Sequence, residues 1–433
     1  MNSIWTKTVK LPEFSKLESD IKTDVLIIGG GIAGILCAYE LDQAGIDYVL
    51  VEADTICSGV TGYTTAKISS QHGLIYDKLV KEFGTDKAGL YLKANEMALG
   101  EYKAICKNID CDYEEKDSYL YTINHREKLE RELKVLESIG YQAELVENIE
   151  LPFETQGAIK FTGQAQFHPL RFVAAIAKNL HIYEHTKVTE LGIQYAMTQK
   201  GRLITADNIV VATHFPINNK HGAYFLKMYQ SRSYVLALEH AQQLNGMYRD
   251  ECDTGLSFRN QKDLLLLGGG SHRTGKKGGN WQELESFTRK YYPDARIKVQ
   301  WATQDCMTLD HVPYIGTYGK NTQGFYVSTG FNKWGMTNSM VAAVLLRDQI
   351  RMKKNEYAEL FDPHRTMMRP QLCLNAMEAT KNLLTFSSKR CPHLGCALKW
   401  NAIEHTWDCE CHGSRFEEDG KLINGPATDD LNM

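Results

Sequence analysis

Four residues near the C-terminus combine the two side-chain types that bind iron and zinc most readily. They form two short pairs, Cys391-Pro-His393 and Cys409-Glu-Cys411-His412, with 15 residues between His393 and Cys409. Each pair offers one thiolate and one imidazole, the ligand set of a 2Fe-2S centre held by two cysteines and two histidines. A structural Cys2His2 zinc site uses the same side chains and stays open as the alternative.

The two pairs and the glycines that follow them resemble the Rieske family of iron-sulfur proteins. The resemblance implies that the iron ligands are Cys391, His393, Cys409 and His412. It also implies a disulfide between Cys396 and Cys411, which high-potential Rieske proteins have and oxygenase-type domains lack. This pair therefore favours an electron carrier over an oxygenase.

Three neighbours of the ligands bear on the potential of such a cluster. Ser414 matches a hydroxyl donor of the Rieske family, whereas Phe416 stands where respiratory members usually carry tyrosine and Glu410 where they usually carry proline. Because hydrogen bonds to the sulfurs raise the potential, we expect a value below that of the respiratory proteins.

A strand, a glycine-rich turn and a helix follow one another near the N-terminus. Residues 24–28 predict a buried parallel strand, which runs into Gly29-Gly-Gly31-Ile-Ala-Gly34 and a helix to about residue 44. The glycines permit a tight turn and a close approach of the backbone, and the helix N-terminus attracts phosphate. The segment predicts a site for a pyrophosphate.

A second strand supports a dinucleotide rather than a bare phosphate. Residues 48–51 end in Glu52, 18 residues past Gly34, where a carboxylate accepts hydrogen bonds from a ribose. FAD and the nicotinamide nucleotides share this ADP half, so the fingerprint alone does not choose between them.

Three later segments resemble the D-amino-acid-oxidase family of flavoproteins, which includes glycine oxidase and sarcosine oxidase. They are residues 58–67, 209–213 and 325–336, within a resemblance that spans residues 20 to about 352. The resemblance implies FAD as the cofactor. The residues expected to bind it are Gly29, Gly31, Ala33, Gly34, Glu52, Thr61, Thr64, Thr65, Lys67, Val188, Ala212, Thr213, Gly330, Gly335, Met336 and Thr337.

The last of these segments also has a physical interpretation of its own. A buried strand ends at Thr329, and the apolar spacing from Met336 onward predicts a helix. Its N-terminus would face the pyrimidine edge of a flavin and stabilise negative charge there. The alternative is a helix that only closes the sheet.

The predicted fold class is α/β, with a Rossmann-type FAD-binding domain, a discontinuous α+β substrate domain and a small C-terminal all-β module like a Rieske domain. Residues 1–370 are expected to form the oxidoreductase and residues 371–433 the minimal Rieske domain. The FAD-binding segments are about 20–84, 155–220 and 300–354, and the substrate-domain segments are about 85–154 and 221–299. Within these segments we predict helices at 85–108 and 126–139, and strands at 232–239, 263–268 and 298–302.

The C-terminal module departs from the usual Rieske pattern in its length. The segment from about Lys354 through Pro370 reads as an irregular connector. Only about 20 residues then separate Pro370 from Cys391, too few for the several strands that usually precede the first ligand loop. So small a domain buries little core, so metal ligands and docking on the flavoprotein must stabilise it. We therefore expect the module to be docked rigidly on the flavoprotein rather than to swing on a flexible tether.

A flavin takes two electrons as a hydride and a 2Fe-2S centre passes one at a time, so both on one chain make a two-to-one electron converter. The predicted reaction is oxidation of a C–N bond in an amine or amino acid, with electrons leaving through the cluster to an unidentified acceptor. The alternatives are a non-enzymatic electron-transfer or redox-sensing module, a reductase whose electrons enter at the cluster, and a zinc-stabilised oxidase that uses oxygen directly.

The candidates for the substrate face are Arg232, Tyr234, Arg259, His272 and Arg273. An arginine there could bind a substrate carboxylate through two hydrogen bonds, although surface arginines and sheet-packing tyrosines are commoner. Hydride transfer from a neutral amine does not require a protein base, so no catalytic acid or base is assigned.

Cys306-Met307 resembles a Cys-Met pair that attaches flavin covalently in sarcosine oxidases, although the spacing to Asp310 is shorter here. Covalent attachment through Cys306 and an ordinary buried cysteine are both open.

Composition excludes several other classes. The 433 residues carry a formal net charge of −4 and no basic run, which excludes a nucleic-acid partner. The longest apolar stretch, residues 25–38, contains four glycines, which is typical of neither a signal peptide nor a membrane span. Eleven cysteines, an odd number, do not indicate a secreted disulfide framework, so we expect a cytoplasmic protein.

Overall fold

The computed structural model describes residues 2–218, 221–253, 255–366 and 368–432. Within them the helices are α1 (Ile4–Thr8), α2 (Ile32–Gln43), α3 (Ile75–Phe83), α4 (Thr85–Cys106), α5 (Arg126–Ser138), α6 (Pro169–Ile176), α7 (Tyr224–Lys227), α8 (Asn280–Tyr291), α9 (Gly335–Ile350), α10 (Ala358–Phe361) and α11 (Pro370–Leu384). The strands are β1 (Ile21–Ile28), β2 (Tyr48–Val51), β3 (Lys67–Ile68), β4 (Glu114–Tyr121), β5 (Glu144–Val146), β6 (Ala158–Gln166), β7 (Ile182–Tyr183), β8 (Val188–Leu191), β9 (Tyr195–Thr198), β10 (Leu203–Val211), β11 (Met228–Glu239), β12 (Gly246–Asp250), β13 (Ser257–Gln261), β14 (Leu264–Arg273), β15 (Arg296–Thr308), β16 (Tyr314–Thr317), β17 (Phe325–Thr329), β18 (Leu398–Asn401), β19 (Thr406–Cys409), β20 (Arg415–Glu417) and β21 (Leu422–Asn424).

The first sheet is the predicted Rossmann-type sheet. Its strands run in the order β16-β17-β10-β1-β2-β7, with β8 and β9 attached beside β10. The pairs β17·β10, β10·β1, β1·β2 and β2·β7 are parallel, so the carboxyl ends of the strands meet at one edge. Residues 25–28 are all buried, because helices such as α2 cover the sheet face.

The second sheet is larger and mostly antiparallel. Its strands run in the order β15-β11-β14-β13-β12-β4-β6-β3, and β5 pairs with β6. The strands predicted at 232–239, 263–268 and 298–302 are parts of β11, β14 and β15, which are all longer than expected. The helices predicted at 85–108 and 126–139 are α4 and α5.

The C-terminal module contains a four-stranded antiparallel sheet in the order β18-β19-β20-β21. Its small core joins four cysteines to Leu398, Phe416, Ala427 and Leu431. The residues between the connector and Cys391 contain a 15-residue helix, α11, to which the sequence analysis assigned no element. Its buried face carries Asn375 and Asn382, whereas Leu374 and Leu384 are exposed, so its apolar pattern did not indicate a helix packed on a core.

No helix in the described ranges is long and apolar enough to cross a membrane.

Candidate functional site

The glycine-rich turn after β1 forms a cradle that side chains would fill. Gly29 has φ +110°, and a Cβ built on it would lie 2.6 Å from the carbonyl oxygen of Ala212 at the end of β10. A Cβ on Gly34 would collide with the carbonyl of Gly29, so this glycine lets α2 pack on the turn. Gly31 has only Thr61 Oγ1 within contact, at 3.5 Å from its built Cβ, and faces open space. The exposed backbone at the N-terminus of α2 suits a pyrophosphate.

Glu52 closes this end of the cradle. Its Oε2 accepts a hydrogen bond from the backbone N–H of Gly30 at 2.6 Å, and its Oε1 accepts one from Asp54 at 3.0 Å. Burial raises the pKa of the Glu52 carboxyl, and the backbone N–H groups oppose that shift. The carboxylate stands at the end of β2 and lines the cavity, as a ribose-binding acid should, but its contact with a ribose stays a prediction.

A cavity of about 460 Å³ runs from this turn into the space between the two large sheets. Thirteen of the sixteen residues predicted to bind FAD line it; they are Gly29, Gly31, Ala33, Glu52, Thr61, Thr64, Thr65, Lys67, Val188, Ala212, Thr213, Gly335 and Met336. The other three support its wall. Gly34 packs α2 on the turn, Gly330 lies against Thr308 and Met228, and the hydroxyl of Thr337 hydrogen-bonds to Ser69 and His72.

The N-terminus of α9 opens on the cavity, and its predicted position at the pyrimidine edge of a flavin stays a prediction. Lys333, Trp334, Gly335 and Met336 all line the wall at this point. The indole of Trp334 is stacked on the imidazole of His72, with ring centroids 4.5 Å apart. Backbone N–H groups and the positive end of the helix dipole are therefore held against the cavity by a fixed aromatic pair.

The end of the cavity under the second sheet is lined by both cationic and anionic side chains. Arg249 lies 3.6 Å from the carboxylate of Asp253 and 5.4 Å from the ring of Trp334. Lys333 donates a hydrogen bond to Ser271 Oγ at 3.0 Å. Asp305 lines the same end from β15. Sequence reasoning missed these groups, because they come from four separate segments and only Lys333 lies in a segment that was singled out.

Asp305 and Lys333 both have shifted pKa values. Burial raises the pKa of Asp305 to about 6, an effect that Lys333 and Arg249 partly offset. Burial and Arg249 lower the pKa of Lys333 to about 8, against the opposing effect of Asp305 and Asp253. The backbone of Lys333 has φ +71°, a conformation that glycine adopts more easily than lysine does. Lys333 combines this backbone conformation with a position on the cavity wall, and such a combination indicates a functional residue.

Cys306, the residue considered for covalent attachment, also lines the cavity and is buried. Burial and the neighbouring Asp305 raise the pKa of its thiol well above the ordinary value. The cavity wall therefore holds a protonated thiol at this point, and attachment to a flavin stays a prediction.

The structure shows where the five candidates for the substrate face lie. Of the five candidates only Tyr234 lines the cavity, and its hydroxyl donates a hydrogen bond to Glu404 of the C-terminal module at 2.8 Å. Arg232 forms a bidentate ion pair with the same carboxylate. Both side chains bind the module, so neither is available to a substrate carboxylate.

The other three candidates also lie away from the cavity wall. Arg259 is fully buried and donates to the carbonyls of Thr65 and Ala66 at 3.0 and 2.8 Å. His272 Nδ1 lies 3.2 Å from the carbonyl of Gly270. Arg273 donates to the carbonyls of Glu410 and Cys411 at 3.2 and 3.0 Å, so it binds a loop of the module. Their positions along the sequence did not show which neighbours these three side chains contact.

The structure brings the two predicted thiol ligands close to each other, and likewise the two predicted imidazole ligands. The thiols of Cys391 and Cys409 are within hydrogen-bond reach of each other, and the hydroxyl of Ser414 hydrogen-bonds to Cys391. The rings of His393 and His412 meet edge to face, with centroids 4.9 Å apart. Among the described residues, the buried Nδ1 of His412 has no hydrogen-bond partner. Two thiols and two imidazoles, one with a buried unsatisfied nitrogen, fit a bound cluster.

Cys396 and Cys411 are paired as a disulfide between the two ligand loops, with Cα atoms 6.7 Å apart. The Sγ atoms of Cys396, Cys409 and Cys411 lie within 4.8 Å of one another. The pairing therefore ties the loops together immediately beside the ligands.

The metal centre and the cavity share a wall. Phe215 lines the cavity, and its ring meets the ring of His393 edge to face, with centroids 6.3 Å apart. Gln230 Nε2 donates to the carbonyl of His412 at 2.8 Å, and Gln304 Nε2 donates to that of Gly413 at 2.8 Å. Backbone and side chains of β21 and the following turn also line the cavity. The two ligand loops are therefore held by β11 and β15, and residues of these strands also line the cavity.

Glu404 fastens the module to the second sheet. Its carboxylate accepts from Arg232, Arg415 and Tyr234, and its side chain is only 2% exposed. Burial would raise the pKa of Glu404, but the two guanidinium groups lower it to about 2. The carboxylate is therefore ionised at neutral pH, with both of its cations buried beside it.

Comparison with known proteins assigns a family to the N-terminal part of the chain and another to the C-terminal part. Residues 24–349 match the family model "FAD dependent oxidoreductase", and residues 349–433 match the model "Rieske [2Fe-2S] domain". The chain is 35% identical to the Rieske 2Fe-2S iron-sulfur protein YhfW of Bacillus subtilis, over 98% of this chain and 95% of that protein.

Two further likenesses concern the N-terminal part. The chain is 24% identical to gamma-glutamylputrescine oxidoreductase of Escherichia coli, over 79% of this chain and 87% of that protein. The fold matches the crystal structure of glycine oxidase from Geobacillus kaustophilus with a TM-score of 0.65 and 20% identity, over 80% of this chain and 99% of that one.

Proposed function

The chain belongs to the FAD dependent oxidoreductase family and ends in a Rieske [2Fe-2S] domain, and from this premise we propose that it oxidises the C–N bond of an amine or amino acid. FAD supplies the two-electron acceptor for a hydride, and the 2Fe-2S cluster supplies one-electron transfer to an external acceptor. The family assignment makes these two groups the cofactors of the chain, and the cavity and the four ligands fit them.

The observation that carries this proposal is the shared wall between cavity and metal centre. Phe215 touches both, and the carbonyls of His412 and Gly413 are held by Gln230 and Gln304. Because these contacts fix the ligand loops against the cavity, electrons released in the cavity have a short path to the cluster.

Side chains of the cavity supply the remaining tasks. The glycine turn binds a pyrophosphate through backbone N–H groups, and the N-terminus of α9 presents positive charge to the far end of the cofactor. Beyond it, Arg249, Lys333 and Asp305 provide both signs of charge for a polar substrate. Residues of the C-terminal module, Leu422, Ile423, Gly425, Ala427 and Thr428, line part of the cavity.

The relatives support a nitrogen-containing substrate. The names of two of them state γ-glutamylputrescine and glycine, both of which contain an amine. The low identities leave the substrate of this chain to experiment.

A panel of amines and amino acids, mixed anaerobically with the purified holoprotein, tests the proposal. We expect at least one to bleach the flavin absorption and then to produce the spectrum of the reduced cluster. Bleaching only by a reduced carrier protein would contradict the proposal and favour electron entry at the cluster. Analysis of iron and acid-labile sulfide on the same sample controls for cluster content.

A further inference from the structure

Asp305 is an unusual member of the charged group at the end of the cavity. It lies on β15 and lines the cavity, yet within the described residues its carboxylate is affected only by burial and by nearby charges and forms no hydrogen bond. Asp253, by comparison, is paired with Arg249 and its side chain is 68% exposed. A carboxylate that faces a cavity without a partner is suited to bind a cationic ligand.

Two cations lie at the same end, and each is held in place. Lys333 is anchored by Ser271 Oγ at 3.0 Å and projects from a left-handed backbone. Arg249 lies over the face of Trp334, and its buried Nε has no hydrogen-bond partner among the described residues. The two side chains offer N–H donors to an anion beside Asp305.

We propose that Asp305 binds the ammonium group of the substrate and removes a proton from it, while Lys333 and Arg249 bind the carboxylate of the same molecule. The substrate class is then an amino acid rather than a simple amine. This inference rests on the proposed function and assigns residues to it that the sequence did not reveal.

The proposed step balances in atoms and electrons. One N–H bond of the ammonium breaks, its electron pair stays on nitrogen, and an O–H bond forms on Asp305. The neutral amine can then lose hydride from its α-carbon to FAD, the oxidant of the proposed function, and the product is an iminium ion. Only the neutral amine has the nitrogen lone pair that forms the C=N bond, so the proton must leave before or with the hydride.

The charges around Asp305 make this step sensitive to pH. Lys333 lies toward it in the loop before α9 and Arg249 on β12, whereas Arg232 of β11 lies on the opposite face of the strand and acts only through its charge. All three are cations, and they favour the carboxylate against burial. Because the ionised form binds and accepts the proton, the second-order rate constant for flavin reduction should fall as pH drops through about 6.

The first test compares wild type with Asp305→Asn in rapid anaerobic mixing, using the amino acid that reduces the wild-type flavin fastest. We expect the second-order rate constant at pH 7.5 to fall at least ~100-fold, and the acid limb near pH 6 to disappear. Asp294→Asn, an exposed carboxylate just before β15, is the control and should behave as wild type. FAD content verifies folding, and Asp305→Glu, which restores a carboxylate, should recover activity with a shifted limb.

The second test compares each amino acid with its decarboxylated amine. Wild type should prefer the amino acid, and Lys333→Met should weaken binding of the amino acid ~10-fold or more while leaving the amine almost unchanged. An unchanged pH profile in Asp305→Asn, or equal losses for both ligands in Lys333→Met, would overturn the assignment although the proposed function stands. Failure of every amino acid to reduce wild type would instead contradict the proposed function itself.

Discussion

Phe416 shows how one side chain can set a property of the metal centre. It is fully buried in the module core together with the cysteines of both ligand loops. Respiratory members of the Rieske family usually carry a tyrosine hydroxyl here, and a ring without one cannot donate a hydrogen bond toward the cluster.

Phe416→Tyr should therefore raise the reduction potential. One net hydrogen bond of about 1 kcal/mol corresponds to about 40 mV for a one-electron couple. A redox titration followed by EPR measures the change, and Phe386→Tyr, a fully exposed ring before the first ligand loop, is the matched control. An unchanged or lower potential in Phe416→Tyr would show that the hydroxyl does not reach the sulfurs.

Residue identities could be predicted where the chemistry is local. Cys391 and His393 are two positions apart, so their type and spacing define a chelate without knowledge of the fold. Asp305, Arg249 and Lys333 meet only because β15, β12 and the loop before α9 come together in space. No short window of sequence contains that information, which is why the sequence suggested other arginines for the substrate face.

The elements of the dinucleotide site followed closely from the sequence. The second predicted strand, at residues 48–51, is β2 with identical bounds, because a continuous apolar run buried on both faces leaves no doubt about its type. By contrast, β11 and β15 extend well beyond the predicted segments, and their extra residues carry polar side chains such as Gln230 and Gln304. Those side chains bind the C-terminal module, which is distant in the sequence. The periodic pattern of a strand therefore could not reveal these contacts.

The strand pair β11 and β15 is also where the module is fastened, and Glu404 is the central contact. Glu404→Gln would leave Arg232 and Arg415, which are 4% and 3% exposed, without their shared counter-charge. Loss of one partner of a buried ion pair costs about 3 kcal/mol, so we expect the module to unfold or detach at lower denaturant concentration. Urea titration followed by cluster absorbance measures this.

Glu418→Gln, an exposed change on the same module, is the control for that experiment. Because the pKa of Glu404 is lowered to about 2, its stabilising effect should be complete above pH 4.5 and lost only as the pH falls toward 2. Equal stability of Glu404→Gln and wild type would mean that other contacts hold the module.

At the scale of the whole molecule, the C-terminal module is built into the flavoprotein. Its cluster loops bind β11, β14 and β15, and its last strand lines the cavity. Its core is small, which agrees with the expectation that docking stabilises it. The short segment before Cys391 indicated that the module is fixed on the flavoprotein, but the sequence could not show which strands it contacts.

The most direct test of the whole account is a single-turnover experiment on the holoprotein with one equivalent of a reducing amine or amino acid. Flavin absorption and the EPR signal of the reduced cluster are followed after anaerobic rapid mixing, at several protein concentrations. We predict that the cluster is reduced after the flavin, at a rate independent of protein concentration, because both centres lie in one chain beside a shared wall. A cluster that stays oxidised while the flavin is fully reduced, or a rate that rises with protein concentration, would contradict the account.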